Sequence, residues 1–192
     1  MLRHIILATF LLVTAAVSGC RANEIESLSF GIGTMSDSPV YVTELLLDNR
    51  EFIAMPTVAH GGVGSFPRTP GGTFFNSIVL PDSFTIKVMW LEIMSGRAYE
   101  AEATVNASDL AVESGNGEIS VLLLPGGWLV IGSDPVPRSK KIVTRDIFKI
   151  CGSRRKDLDR DIKGEVNSIG KLKEALKFAT DPIDAPPCEG GT

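Results

Sequence analysis

The sequence is poor in the residues that carry most metal and thiol chemistry. It has two histidines and three cysteines in 192 residues, and no two cysteines form a CxxC pair. Zinc sites are built from histidine and cysteine ligands at short spacings, so we expect neither a metal site nor a cofactor. His60 is the only histidine beyond residue 19, which leaves little material for a histidine-based catalytic site.

Motifs of the common hydrolases and nucleotide-binding proteins are also missing. His60-Gly61-Gly62 superficially matches the backbone oxyanion motif of esterases, but the chain has no GxSxG elbow. Gly62-Val63-Gly64 lacks the GK[ST] ending of a phosphate loop. We therefore predict that the chain is not an enzyme and that His60 to Gly72 is a surface loop. Because such loops often carry binding residues, His60 and Arg68 are candidates for contact with a partner.

The longest apolar run, Ile5 to Val17, lies at the N-terminus and is interrupted only by two threonines. A membrane-spanning helix, the alternative interpretation, needs roughly 20 apolar residues. Arg3 precedes the run and Val17-Ser18-Gly19-Cys20 follows it, which is the order of a secretory signal peptide. The last four residues resemble a bacterial lipobox. That resemblance implies that residues 1–19 are removed and that Cys20 is lipidated.

The rest of the chain is then organised as a tether and one domain. Residues 20–26 are expected to form the lipidated tether, and residues 27–192 a single domain with a core of its own. Several acyl chains would hold the protein on a membrane. The mature chain has Arg21 at position two, not the aspartate that retains bacterial lipoproteins at the inner membrane. We therefore expect a protein of the cell envelope, at the outer membrane and facing the periplasm, where nucleic acid is not a partner.

Cys151 and Cys188 are the cysteines that remain after lipidation. Because the periplasm oxidises thiols, we predict a disulfide between them. The bond would close a loop of 38 residues, from 151 to 188, and would pin the C-terminal tail to the end of a strand. The chain-entropy estimate for such a loop is about 4 kcal/mol.

Charge is distributed unevenly along the chain. From Arg138 to Phe178 there are 13 basic and 6 acidic residues, whereas from Arg21 to Pro137 there are 5 basic and 14 acidic ones. Two interpretations are open. The basic segment either packs beside the acidic body or forms a docking surface for an acidic partner or anionic lipid head groups.

The clearest structural pattern is a hairpin predicted between Leu80 and Val105. Its first arm alternates apolar and more polar residues with a period of two, the pattern of a strand with one buried face. Ser95-Gly96 is predicted to be a two-residue turn, which would place Trp90 opposite Ala101. The apolar residues of the first arm are Phe84, Ile86, Val88 and Trp90.

The other periodic segments are mostly strand-like. Further strands are predicted at 27–34, 40–47, 51–55, 118–124, 128–133 and 140–150. The charge run Arg154 to Lys163 is predicted to be a solvated loop or a frayed helix. From Asn167 onward, apolar residues at helical spacing predict one amphipathic helix that contacts the sheet and ends before Pro182. The predicted fold is therefore mainly β: an antiparallel β-sandwich or partly open barrel with one C-terminal amphipathic helix.

Three segments in this order carry a family resemblance: FGIGTMSDSPVYV, LPDSFTIKVMW followed by RAYEAEATV, and LLLPGGWLVIG followed by a basic strand. They resemble the bacterial lipoproteins of the domain-of-unknown-function family 2931. A second uncharacterised lipoprotein family, with a Gly-Gly loop before a strand and an LP-W segment, fits the stretch from His60 to Glu92 in a similar way.

Lipoproteins of the first family are often encoded beside toxins delivered by the type VI secretion system, especially lipases that act on phospholipids. The resemblance implies an immunity protein that binds and neutralises such a phospholipase-type effector in the periplasm. The alternative is a general cell-envelope lipoprotein with a structural or assembly role, which predicts a phenotype without any toxin. The sequence leaves the oligomeric state open.

Overall fold

A computed structural model of the chain describes residues 24–34, 38–51, 56–60, 73–113, 115–133, 145–179 and 188. In these ranges the strands are β1 (Glu24–Thr34), β2 (Val40–Leu47), β3 (Arg50–Glu51), β4 (Thr57–Ala59), β5 (Thr73–Val79), β6 (Ser83–Glu92), β7 (Arg97–Asn106), β8 (Val112–Glu113), β9 (Asn116–Leu124), β10 (Trp128–Ser133), β11 (Arg145–Cys151) and β12 (Ser153–Arg154). Helical structure in the same ranges comprises two 3₁₀ turns, Ala107–Asp109 and Lys156–Leu158, and one α-helix, α1 (Leu172–Ala175). The fold is mainly β.

The strands form two six-stranded sheets. The first has the order β11-β10-β9-β1-β5, with β8 paired to β9, and the second has the order β12-β7-β6-β2-β3, with β4 paired to β2. Within the described ranges neither sheet closes into a barrel. Neighbouring strands are antiparallel, as predicted, except that β1 runs parallel to β9 with Phe30 opposite Ile119.

The two sheets share one hydrophobic core. The four apolar residues predicted to line the buried face of β6 are each at most 1 % exposed, so the period-two pattern marks the core face correctly. Burying an apolar side chain of this size contributes roughly 1.5–3 kcal/mol. The first sheet contributes Leu28, Phe30, Ile119, Val121, Leu123, Leu129 and Ile131 to the same cluster.

The β6–β7 hairpin is present, but its predicted register is wrong by two residues. Trp90 lies opposite Tyr99 and not opposite Ala101. Because side chains alternate faces along a strand, a shift of two residues leaves each of them on its predicted face. The buried face was therefore predicted correctly even though the individual pairs were not.

The difference in register arises at the turn. The loop between the two strands has four residues, Ile93–Gly96, and not the predicted Ser95-Gly96 pair. The Gly96 N–H donates to the Glu92 carbonyl oxygen at 2.9 Å, and Gly96 has a φ of +69°. Ile93 belongs to this loop. It is nevertheless fully buried and packs against the C-terminal layer.

A C-terminal layer covers part of the outer face of the second sheet. Ile162, Leu172 and Ala175 are fully buried. They pack against residues of β2, β4, β6 and β7 and of the turn between β6 and β7. These residues are Tyr41, Val58, Leu91, Ile93 and Ala98. The predicted contact between the apolar stripe and the sheet is confirmed.

The observed helix is much shorter than the amphipathic helix that the apolar spacing predicted. Only Leu172–Ala175 is α-helical, and the residues before it form turns. Lys171 adopts a left-handed conformation with a φ of +64°, which interrupts any helix that would run through this position. The stripe still reaches the sheet because a succession of turns also places every third or fourth side chain on one side.

The predicted disulfide joins Cys151, the last residue of β11, to Cys188, with the two Cα atoms 5.6 Å apart. The Cys188 N–H donates to the Gly126 carbonyl oxygen at 3.0 Å. Residue 188 is therefore fixed both to the end of a strand, as predicted, and to the turn between β9 and β10.

Candidate functional site

The predicted site residues are divided between the described and undescribed parts of the chain. Cys20 and Arg68 lie outside the described residues, as does the predicted binding loop after His60. His60 itself is half-buried and follows β4 directly. The disulfide cysteines Cys151 and Cys188 lie beside the β9–β10 turn.

Both sheets meet at a common end, called the distal end below, where β6 ends at Glu92. The Glu92 carboxylate joins the sheets there, because its Oε1 accepts hydrogen bonds from the N–H groups of Gly126 at 2.8 Å and Gly127 at 3.2 Å. Val40, the first residue of β2, lies between Glu92 on one side and Ala59 of β4 on the other. His60 therefore also lies toward the distal end.

The chain enters β1 at the opposite end of the molecule. β1 runs parallel to β9, from Ser27 opposite Asn116 to Thr34 opposite Leu123. The end of β9 leads directly into the turn that Glu92 binds, so Glu24 lies at the other end of the sheet. Ten steps of roughly 3.3 Å separate Glu24 from Thr34, a distance of about 30 Å.

Two arginines that follow β11 hold the charge run against β7. Arg154 donates to both carboxylate oxygens of Asp159, at 2.6 and 2.7 Å, and to the Ala98 carbonyl oxygen at 2.7 Å. Asp159 also accepts the Ala98 N–H at 2.8 Å. The hydrogen bonds from Arg154 hold the pKa of the Asp159 carboxyl at about 2. The run predicted as a solvated loop is thus exposed but tied to the sheet.

A second set of charges lies beside the first on the outer face of the sheet. Glu100 accepts hydrogen bonds from Lys87, at 2.8 Å, and from Arg155, which also pairs with Asp157. The hydrogen bonds from Lys87 and Arg155 lower the pKa of Glu100. Glu100 therefore links two cations. Through Arg155, the basic segment packs beside the acidic body, as the first of the two interpretations predicted.

The Arg154–Asp159 pair predicts a specific pH dependence of stability. The pKa of Asp159 is about 2 in the folded chain and roughly 3.9 in an unfolded one. Because the folded pKa is the lower, the pair stabilises the fold above pH ~4 and loses that effect as the pH falls toward 2. Asp159→Asn should remove this dependence. In urea titrations, the stability difference between wild type and Asp159→Asn should be largest above pH ~4 and should disappear near pH 2.

Asp161→Asn is the control for loss of one exposed carboxylate in the same segment, where Asp161 pairs with Lys163 at 3.6 Å. A difference between wild type and Asp159→Asn that stays constant from pH ~5 to pH ~2 would contradict the assignment.

Three lysines of the C-terminal layer are outside these networks. Lys171, Lys173 and Lys177 are exposed, and their side chains form no ion pair or hydrogen bond in the part of the chain that the structure describes. Phe178 follows them and is 53 % exposed. These four residues are called the lysine–Phe178 surface below.

The lysine–Phe178 surface borders two depressions. The larger has a volume of about 410 Å³ and is lined by all four residues together with Glu174. The smaller, of about 240 Å³, lies between Lys171 and strands β2 and β4, and its lining includes Tyr41 and Thr57. Lys171 lines both. The depression touches the start of β4 at Thr57, whereas His60 follows the end of that strand.

The charge distribution along the sequence identified the basic segment that contains the three lysines but did not single out Phe178. The apolar spacing of the predicted helix ran through Leu172 and Leu176, which contact the sheet, and Phe178 lies off that stripe. A phenylalanine off the apolar stripe and next to three lysines was the signal that could have identified it.

No helix in the described ranges is long and apolar enough to cross a membrane. In the same ranges no group of three or more His, Cys, Asp or Glu residues could hold a metal ion. No protein-family model matches the chain, and neither a curated protein nor a solved structure is significantly similar to it. The resemblance to the family 2931 lipoproteins therefore remains a prediction.

Proposed function

We propose that this protein is a lipid-anchored lipoprotein of the cell envelope, facing the periplasm, that binds and neutralises a secreted antibacterial toxin of the phospholipase type. Its two sheets serve as a β-sandwich scaffold for the binding surface. The observation that carries this proposal is the position of the lysine–Phe178 surface: it belongs to the C-terminal layer that packs on the distal half of the second sheet, whereas β1 begins at the other end.

The tether would keep these two ends in a fixed relation to the membrane. Cys20 precedes Glu24 by four residues, which span at most about 14 Å when fully extended. With Cys20 lipidated, the start of β1 stays close to the bilayer. The distal end then points into the periplasm, where a protein that approaches its phospholipid substrate can be intercepted.

A rigid surface suits a neutralising protein because binding does not have to order it first. The C-terminal layer is held by buried Ile162, Leu172 and Ala175 and by the Cys151–Cys188 disulfide. Exposed lysines that have no partner in the described ranges can steer an acidic protein toward this surface. Blocking a toxin requires occlusion of its active site, which an interface of about 800 Å² per partner provides.

Binding is tested first with the soluble chain, starting at Arg21, and the product of the adjacent open reading frame. We expect a complex that survives co-purification and weakens as salt is raised, since exposed charges are screened. If no neighbouring product forms a complex with the chain, the proposal is wrong. Detergent sensitivity of a deletion strain without any toxin would support the general envelope role instead.

Loss of the anchor should abolish protection without abolishing binding. We expect Cys20→Ser to release the protein from membranes and to leave cells sensitive to the toxin, because the lipid alone holds the chain at the site of phospholipid hydrolysis. Membrane fractionation and survival under toxin expression measure the two effects. The Ser18→Ala variant, which keeps a small residue in the lipobox, is the control. A strain without this protein that stays fully resistant would contradict the proposal.

A further inference from the structure

We infer that the lysine–Phe178 surface is the contact surface for an acidic protein, with Phe178 inserted into an apolar pocket of the partner and the three lysines facing carboxylates around that pocket. This inference rests on the proposed function and identifies the residues and the partner chemistry of its interface. It starts from the side chains that the fold leaves exposed.

Phe178 is the most exposed of the large apolar side chains in the described ranges, at 53 %. Its neighbours in the C-terminal layer, Leu172 and Ala175, are fully buried, so packing of the layer does not require Phe178. An exposed aromatic side chain beside a depression of about 410 Å³ has the form of an interface anchor. Such anchors contribute most of the affinity when the partner removes them from water.

The lysines around Phe178 indicate the charge of the partner. Lys171, Lys173 and Lys177 share their depression with a single acidic residue, Glu174. By contrast, Arg154, Arg155 and Lys163 of the same basic segment each have a carboxylate partner within the protein. Lys149, Lys156 and Arg160 also lack a carboxylate partner among the described residues, but of these unpaired cations only the three lysines line the depression beside Phe178. Charges at the rim of an interface mainly raise the association rate and make it sensitive to salt.

The backbone at Lys171 gives a further reason to assign a role to this side chain. Its φ of +64° is a conformation that glycine adopts freely and that costs a residue with a Cβ atom roughly 1 kcal/mol. Lysine nevertheless occupies the position, and its side chain lines both depressions. A cationic side chain thus occupies a position at which a glycine would relieve the backbone.

Anionic lipid head groups would also attract three lysines, but the position of the surface argues against a membrane. The layer packs against the distal half of the second sheet, through Leu91 and Ile93. β1 begins at Glu24, about 30 Å from its distal end at Thr34, and four extended residues reach only about 14 Å. An acidic protein in the periplasm is thus the occupant that fits.

The test measures binding kinetics of the soluble chain, from Arg21 onward, to the purified product of the adjacent open reading frame. The first variant combines Lys171→Gly, Lys173→Gln and Lys177→Gln, and we expect an association rate about tenfold lower with a flatter salt dependence. The second, Phe178→Ala, should dissociate about tenfold faster, because removal of an anchor acts mainly on the dissociation rate.

Matched controls are available in the same segment. Lys156→Gln removes an exposed lysine of the neighbouring 3₁₀ turn, and Leu158→Ala removes an apolar side chain that is 39 % exposed. Both should bind like wild type. The combined lysine variant should be at least as resistant to urea as wild type, since Lys171→Gly relieves the backbone and the other two lysines are exposed, so that its weaker binding cannot come from unfolding.

The outcomes separate the inference from the proposed function. If wild type binds and both test variants bind equally well, the contact surface is wrong while the proposed function stands. If wild type does not bind the neighbouring product, the proposed function fails as well. Vesicles of phosphatidylglycerol and phosphatidylethanolamine form the third arm. If wild type binds them and the lysine variant does not, while both bind the protein equally, the surface is a membrane contact and the inference is overturned.

Discussion

Replacement of Gly127 by alanine is expected to lower the free energy of unfolding by about 3 kcal/mol. Gly127 lies in the turn between β9 and β10 with a φ of +86°, and a Cβ atom there would lie 2.4 Å from two ring carbons of Tyr99. The ring has no room to withdraw. Tyr99 is 1 % exposed, and it stacks on Trp90 with the ring centroids 5.6 Å apart. Backbone strain and overpacking therefore act together.

Urea unfolding of Gly127→Ala measures this loss, and Gly164→Ala is its control. A Cβ atom at Gly164 would meet no heavy atom within 4 Å, and that glycine does not need a left-handed backbone. We expect Gly164→Ala to change stability by less than ~0.5 kcal/mol. Equal effects of the two substitutions would mean that the stacked rings do not enforce a glycine at the turn.

The strands that have turn residues at both ends were predictable from the sequence. β2 and β10 have the predicted bounds, Val40–Leu47 and Trp128–Ser133, and β9 extends the predicted strand by two residues at its start. Turn residues at both ends bound these segments, so the apolar pattern has clear limits. β9 also carries the apolar run Val121 to Leu124, and its residues from Gly117 to Leu123 are all buried, as is typical of a strand covered on both faces.

The sequence patterns could not predict which distant strands pair with each other. A period of two gives the buried face of a strand but not its neighbour, and the parallel pairing of β1 with β9 joins segments about 90 residues apart. The predicted register of β6 and β7 was wrong for a related reason. Ser95-Gly96 is a good two-residue turn signal, but burial of Ile93 favours a loop of four residues, and burial depends on the C-terminal layer.

The candidate site was predictable only in part for the same reason. A helix was predicted from Asn167 onward, yet only a single turn of it, Leu172–Ala175, follows left-handed Lys171. The smaller depression forms where residues 168–171 lie beside β4, a contact between residues more than 110 positions apart in the chain. Local periodicity contains no information about such contacts, whereas the charge imbalance did identify the segment.

Removal of the disulfide is expected to destabilise the protein by about 4 kcal/mol, the largest effect of any change proposed for this chain. The double variant Cys151→Ser with Cys188→Ser opens a loop of 38 residues, which raises the conformational entropy of the unfolded chain. The loop contains the whole C-terminal layer, including Ile162, Leu172 and Ala175. Urea unfolding of the oxidised wild type, the reduced wild type and the double variant measures the effect, and the last two should agree.

The disulfide also bears on binding, because the same loop carries the lysine–Phe178 surface. Without the bond, residue 188 keeps only its backbone hydrogen bond to Gly126, and the layer can open locally before the sheets unfold. Amide exchange of Leu172 and Leu176 should therefore accelerate more than that of Val88 and Val121, which lie in the core between the sheets. If exchange accelerates equally at all four positions, the layer unfolds only together with the sheets. In that case the disulfide stabilises the domain as a whole and has no separate part in holding the binding surface.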